Sequence, residues 1–131
     1  IAKTRKHMIN VDQARFKEVI INIIDNAVKY TPEGSITVTV KSEEGKVVVK
    51  VSDTGVGIDK KVIPSLFKEF SRSDLQKVNI LGTGIGLYLA KKFTEAQKGS
   101  IWAESEGAGK GSQFYVAFPE VKVTKRNKET V

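Results

Sequence analysis

The chain has 131 residues, 40% of them hydrophobic, which suits one domain with a real core and leaves little room for a second. It has no cysteine and a single histidine, His7, which excludes disulfides, thiol nucleophiles, cysteine-ligated zinc and histidine-rich metal centres. The formal charge of +7 gathers at the ends, in Lys3, Arg5 and Lys6 and in Lys122, Lys125, Arg126 and Lys128. Basic ends are the habit of solvated linkers and tails, and no basic face interleaved with aromatics marks the interior, so no nucleic-acid partner is expected.

No apolar run reaches membrane-spanning length and no signal-peptide pattern is present, so the chain is expected to be soluble as given. Because it begins at Ile1, it reads as an excerpt from a longer protein. Met8 to Val11 is predicted as a short strand, and Asp12 offers an N-cap for a long helix that Pro32 and Gly34 end. Within that helix Phe16, Val19, Ile20, Ile23, Ile24, Ala27 and Val28 recur at helical spacing and define one buried face. Ser35 to Lys41 then alternates, with Ile36, Val38 and Val40 on one side and Thr37 and Thr39 on the other. Lys46 to Ser52 aligns Val47, Val49 and Val51 in the same way. With Glu43, Glu44 and Gly45 as the turn, the two runs predict an antiparallel pair with one face in the core.

Asp59 to Phe67 is a short segment with apolar anchors at Ile63, Leu66, Phe67 and Phe70, and Pro64 interrupts it or sits in its first turn. Ser71 to Ile80 is polar and weakly patterned, as in a loop or a lid. Leu87, Leu89, Ala90, Phe93 and Ala96 predict a second helix, with Gly99 as its stop signal. Ser100 to Ser105 and Ser112 to Phe118 make a second strand pair, inward at Ile101, Ala103, Phe114, Val116 and Phe118, joined by the turn from Glu106 to Gly111. Beyond Pro119 charge dominates and little order is expected.

Three places carry chemistry. In the first helix Asn22, Asn26 and Lys29 fall at i, i+4 and i+7, a polar row beside the buried face with Asp25 close by. Asparagine costs about 0.5 kcal/mol relative to alanine at a helix interior position, so two in one row ask for a reason. An ordinary solvated face is one; ligation of a hard cation such as Mg²⁺ by amide oxygens, with Lys29 toward phosphate, is another. The second place is Asp53-Thr-Gly55-Val-Gly57-Ile58 at the end of a strand, which reads either as turn chemistry or as a carboxylate accepting from a ligand on the sheet end. The third is Gly82-Thr83-Gly84-Ile85-Gly86-Leu87, a glycine loop running into a helix, which serves equally as a tight connection or as a cradle of amides for phosphate. It is not the dinucleotide-binding spacing, and no βαβ unit surrounds it.

Taken in order, Asn22-x-x-x-Asn26-Ala27-x-Lys29-Tyr30-Thr31-Pro32, Asp53-x-Gly55-x-Gly57-Ile58, Phe67-x-x-Phe70, Gly82-Thr83-Gly84-Ile85-Gly86-Leu87 and Gly109-Lys110-Gly111-Ser112 with Phe114 resemble the boxes of the catalytic ATP-binding domain of bacterial sensor histidine kinases. The likeness covers roughly Ile9 to Pro119. It implies a Bergerat-fold α/β sandwich: a mixed, mostly antiparallel sheet of about five strands covered on one side by about three helices. Residues 8–119 would form that domain, residues 1–7 a linker from an upstream dimerisation and phosphoacceptor domain, and residues 120–131 a basic tail.

By motif position, the resemblance implies that Asn26 ligates Mg²⁺ with Asn22 beside the metal and phosphates. Lys29 would contact phosphate, and Tyr30, Ile58 and Phe70 would belong to the nucleotide pocket. Asp53 would accept from the adenine amino group, and Gly55 and Gly57 would give the base clearance. Gly82, Thr83, Gly84, Ile85, Gly86 and Leu87 would meet the phosphates, and Arg72 would reach the transferring phosphoryl group. The implied partners are ATP, the upstream helical domain and a response regulator receiver domain. The isolated fragment would be a monomer, the full-length protein a homodimer, and the domain the cytoplasmic part of a membrane-anchored sensor.

Gln97, Lys98 and Gly99 stand where that family often has His-Gly-Gly, and Ile85 where leucine is common. His7 lacks the acidic, arginine and proline neighbours of a phosphoacceptor and reads as a linker residue. The rival reading is an ATP hydrolase of the gyrase, mismatch-repair or chaperone type. Those enzymes place a water-activating glutamate four residues before the asparagine, where this chain has Asn22. A nucleotide-binding module without transfer activity is the non-enzymatic alternative.

Overall fold

The computed structural model describes residues 7–68 and 85–121. Helix α1 (Gln13–Tyr30) opens at the predicted cap: the Asp12 carboxylate accepts from the Arg15 N–H at 3.1 Å, and the Asp12 N–H donates to Gln97 Oε1. Strands β1 (Ile36–Glu43) and β2 (Lys46–Asp53) follow, then a single 3-10 turn (Ile63–Ser65), helix α2 (Ile85–Ala96) and strands β3 (Ser100–Glu104) and β4 (Ser112–Pro119). Among the described residues the sheet has four strands in the order β1-β2-β4-β3, every pair antiparallel. The α/β sandwich is therefore as expected in kind.

It differs from expectation in local detail. Met8 to Val11 is no strand: only a single bridge, Ile9 to Glu120, ties it to the sheet margin, where the Val121 N–H also donates to the Met8 carbonyl at 2.7 Å. Asp59 to Phe67 forms one 3-10 turn, with Pro64 in its first turn, where the missing N–H forfeits no helical bond. Glu120 is tied to the domain as well, its N–H donating to the Gly45 carbonyl at 3.0 Å. The proposed lid, Ser71 to Ile80, lies outside the described residues.

The core lies between the helices and one face of the sheet. Val19, Ile23 and Ala27 of α1, Val47, Val49 and Val51 of β2, Ile101 and Ala103 of β3, and Phe114, Val116 and Phe118 of β4 are all buried. Phe16 meets Phe118 edge-on at 5.7 Å, and Phe67 meets Phe114 at 6.2 Å. In α2 the buried row is Leu87, Ala90 and Thr94; Leu89 and Ala96, both expected inside, face solvent.

Val38 and Val40 were also expected inside, yet each is 47% exposed. Their register partners Val51 and Val49 are buried, so the valines do lie on the helix-covered face. The helices, however, pack on β2 and β3 and stop short of the edge strand β1. Val28, the last residue of the predicted α1 stripe, is exposed in the same way, at 53%. On the opposite face Trp102 stacks on Tyr115 at 5.0 Å, and burial together with the hydrogen bond to Glu104 raises the Tyr115 phenol above its usual pKa.

The stop after α2 also departs from expectation. The left-handed residue is Lys98 (φ 67°), while Gly99 is needed for another reason: a Cβ there would lie 2.6 Å from the Phe118 ring. A side chain in the left-handed region costs about 1 kcal/mol. Lys98→Gly should therefore stabilise the domain by about 1 kcal/mol in urea denaturation, whereas Gly99→Ala should destabilise it by ~2 kcal/mol through overpacking.

Candidate functional site

The polar row of α1 is in place. Asn22 Nδ2 donates to the Gly86 carbonyl at 3.4 Å, so the middle of α1 abuts the start of the described part of α2. Lys29 pairs with Asp25 at 3.1 Å. At the end of the helix the Tyr30 carbonyl accepts from the Val56 N–H at 2.9 Å, which fastens the Asp53 turn to α1. From Asn22 to Tyr30 a helix rises ~12 Å. The row thus links Gly86 at one end to the Asp53 turn at the other.

Between those ends, Asn26 Nδ2 is buried with no hydrogen-bond partner among the described residues. An orphaned buried amide is costly unless something outside the protein uses it. Rotated about its terminal bond, the side chain offers its oxygen at the same place, and a neutral oxygen there suits a hard cation. The residues present thus fit Mg²⁺ through Asn26, and Lys29, though held by Asp25, stands on the same row.

Asp53 ends β2 with 3% exposure, in a carboxylate held by three protein donors. Its Oδ1 accepts from the Gly55 N–H at 2.9 Å and the Ser112 N–H at 3.2 Å, and its Oδ2 accepts from the Ser112 hydroxyl at 2.6 Å. A carboxylate offers about four lone-pair sites. Among the described residues, the place left over is on Oδ2, and it suits one further N–H donor. In sequence Ser112 stands out only as the end of the closing glycine turn and the start of a strand. Its position opposite Asp53 in the β2–β4 register is what gives it a role, and register was not visible in the sequence.

The glycines of the turn give clearance to protein backbone: a Cβ on Gly55 would lie 2.1 Å from the Tyr30 carbonyl oxygen, and one on Gly57 (φ 74°) 2.2 Å from that of Gly107. Tyr30, Ile58 and Leu87 are buried. Ile85 and Gly86 open the described part of α2. Phe70, Arg72, Gly82, Thr83 and Gly84 lie outside the described residues.

This arrangement is one that known proteins share. Residues 11–122 match the family described as histidine kinase-, DNA gyrase B- and HSP90-like ATPases. The chain belongs to that family. It is 39% identical over 117 residues to the sensor histidine kinase WalK of Bacillus subtilis, an alignment covering 86% of this chain and 19% of WalK.

Among solved structures, the catalytic domain of the histidine kinase ThkA aligns with a TM-score of 0.73 at 30% identity, covering 86% of this chain and 70% of that one. Full-length ShkA in complex with AMPPNP aligns with a TM-score of 0.77 at 27% identity, covering 91% of this chain and 24% of that one. The chain therefore spans about a fifth of WalK's length and is an ATPase-family domain similar to those of sensor histidine kinases. No helix among the described residues is long and apolar enough to cross a membrane.

Removing the Ser112 hydroxyl would leave Oδ2 of a buried carboxylate short of a donor. Ser112→Ala should cost 1.5 to 3 kcal/mol, the approximate range for a hydrogen bond to a charged group. In denaturant titration the loss should be much smaller on an Asp53→Ala background, because both changes break one bond.

Proposed function

We propose that this ATPase-family domain binds Mg²⁺-ATP and presents the γ-phosphoryl group to a histidine on a separate helical domain, as the kinase half of a two-component sensor. The observation that carries the reading is the Asp53 carboxylate, buried and satisfied except for room for one N–H donor on Oδ2. The adenine amino group supplies such a donor, and guanine, with a carbonyl at that position, does not. Burial makes the discrimination strong, because an unmatched polar pair in such a place forfeits its hydration as well as its bond.

In this reading Asn26 holds Mg²⁺ with Asn22 beside it. The ion would supply neutralisation of charge on the phosphates, and Lys29 adds a positive charge on the same row. Gly86 and Leu87 offer amides in the first described turn of α2, and the motif likeness assigns Gly82, Thr83, Gly84, Ile85, Arg72 and Phe70 to the same nucleotide. Positioning and charge stabilisation then do most of the work, as in phosphoryl transfer generally.

Residue 22 favours transfer over hydrolysis. Water attack needs a base at that place, and the Asn22 amide is a poor one. Its contact with Gly86 also gives it a structural duty. Residues 1–7 are read as the linker from the helical dimerisation and phosphoacceptor domain, residues 8–119 as the kinase domain, and residues 120–131 as a basic tail. The parent protein would be a homodimeric, membrane-anchored sensor with its kinase domain in the cytoplasm, passing phosphate to a response regulator receiver domain.

Calorimetric titration of Mg²⁺-ADP and Mg²⁺-GDP into the domain tests the reading. Wild type should bind ADP and not GDP; Asp53→Ala should lower ADP affinity at least ~100-fold, the equivalent of about 2.7 kcal/mol. Asn26→Ala should abolish the difference between titrations with Mg²⁺ and with EDTA. Equal binding of both nucleotides would refute the assignment.

A further inference from the structure

Ser105, just past the end of β3, does more than terminate a strand. Its hydroxyl accepts from the Ile58 N–H at 3.1 Å and from the Gly107 N–H at 3.2 Å, and donates to the Gly111 carbonyl at 2.7 Å. A hydroxyl has one proton and two lone pairs, so this one is used in full. Its three partners belong to both turns that frame Asp53: Ile58 closes the Asp53-x-Gly55-x-Gly57 turn, and Gly107 and Gly111 bracket the β3–β4 turn. The same two turns are joined once more where the Gly109 N–H donates to the Val56 carbonyl at 2.7 Å.

The link to Asp53 is short. Gly111, whose carbonyl Ser105 holds, is bonded directly to Ser112, and Ser112 supplies two of the three donors on the Asp53 carboxylate. Ser105 therefore fixes, through one peptide unit, the group that decides which Asp53 lone pair stays open. Gly111, Ser112 and Asp53 are all buried, while Ser105 itself is half-buried, so the anchoring hydroxyl sits at the rim of the packed cluster.

Resting on the nucleotide reading above, we infer that Ser105 is a positioning residue for base selection: it aims the Asp53 carboxylate at the exocyclic amino group of adenine without touching the nucleotide. A purely structural serine would support binding of any purine equally. A positioning serine matters only when there is an amino group to be read.

The test compares Mg²⁺-ADP with the diphosphate of purine riboside, which carries hydrogen where adenine carries its amino group. Both are titrated calorimetrically into wild type, Ser105→Ala and Ser105→Thr, with folding of each variant checked by circular dichroism. Ser105→Ala should lose about 10-fold in ADP affinity, roughly the worth of one aligned hydrogen bond, with the purine riboside diphosphate changed less than about 2-fold. Ser105→Thr, which keeps the hydroxyl, should restore the ADP preference.

Equal losses for the two ligands, an unchanged ADP affinity, or Ser105→Thr behaving as Ser105→Ala would overturn the assignment. If Ser105→Ala does not fold, Ser105→Cys retains a weaker donor and acceptor, and its preference should fall between those of wild type and the reading-incompetent Asp53→Ala. Failure of wild type to bind ADP at all would instead strike the nucleotide reading itself.

Discussion

The pairing of Asp53 with Ser112 across β2 and β4 is the constraint on which the rest of the site hangs. A carboxylate with 3% exposure is tolerable only if its lone pairs are met. Here the donors come from the two turns that leave the paired strands, at Gly55 on one side and Ser112 on the other. Those turns must therefore close on each other whenever the sheet forms, and the Val56 bond to Tyr30 draws the end of α1 into the same knot. One end of the candidate site is thus built by folding, ahead of any ligand.

Helix α1 meets two demands along one length. Val19, Ile23 and Ala27 are buried against the sheet, and beside them the row Asn22, Asn26 and Lys29 stays polar. Two asparagines weaken the helix by ~1 kcal/mol in all, and the tertiary packing of the apolar face readily absorbs such a sum. Asn22 recovers part of it through Gly86, and Lys29 is tethered by Asp25. Asn26 recovers nothing from the described protein atoms through its Nδ2, so it is the residue of the row whose cost is unexplained without a ligand.

The periodic parts of the sequence were readable because burial imposes them. The cap at Asp12, the α1 stripe as far as Ala27, and the inward valines and phenylalanines of β2 and β4 all follow from spacing. Alternation in β1 was equally clear, but it reports only that two faces differ. It cannot say how far the covering layer extends, and Val38 and Val40 fall beyond it. Lys98 carries the left-handed turn expected of Gly99 because a steric demand, the Phe118 ring, claims the glycine.

Among the candidate site residues, those whose role depends on their own chemistry, Asp53 and Asn26, could be picked out. Those whose role depends on what lies opposite, Ser112 and Ser105, could not be read from residue type alone. The one local sign was the Ser105 hydroxyl two residues before Gly107, a spacing that side-chain turns favour.

The remaining question for such a site is what the phosphoryl group meets. Hydrolysis needs a base that takes a proton from water as the bond to phosphorus forms, and an amide nitrogen or oxygen is too weakly basic to do so near neutral pH. Asn22 also spends its Nδ2 on the Gly86 carbonyl, so turning the side chain to aim its oxygen at a water would break a contact between α1 and α2. A nucleophile that arrives with its own lone pair free, as a neutral imidazole nitrogen does, has no need of that base. On the reading proposed above, an amide in place of a carboxylate at position 22 would both disfavour a reaction with water and leave open a reaction with a side chain brought from outside. On the proposed reading, the identity of the acceptor is decided at least as much by what this site withholds as by what it supplies.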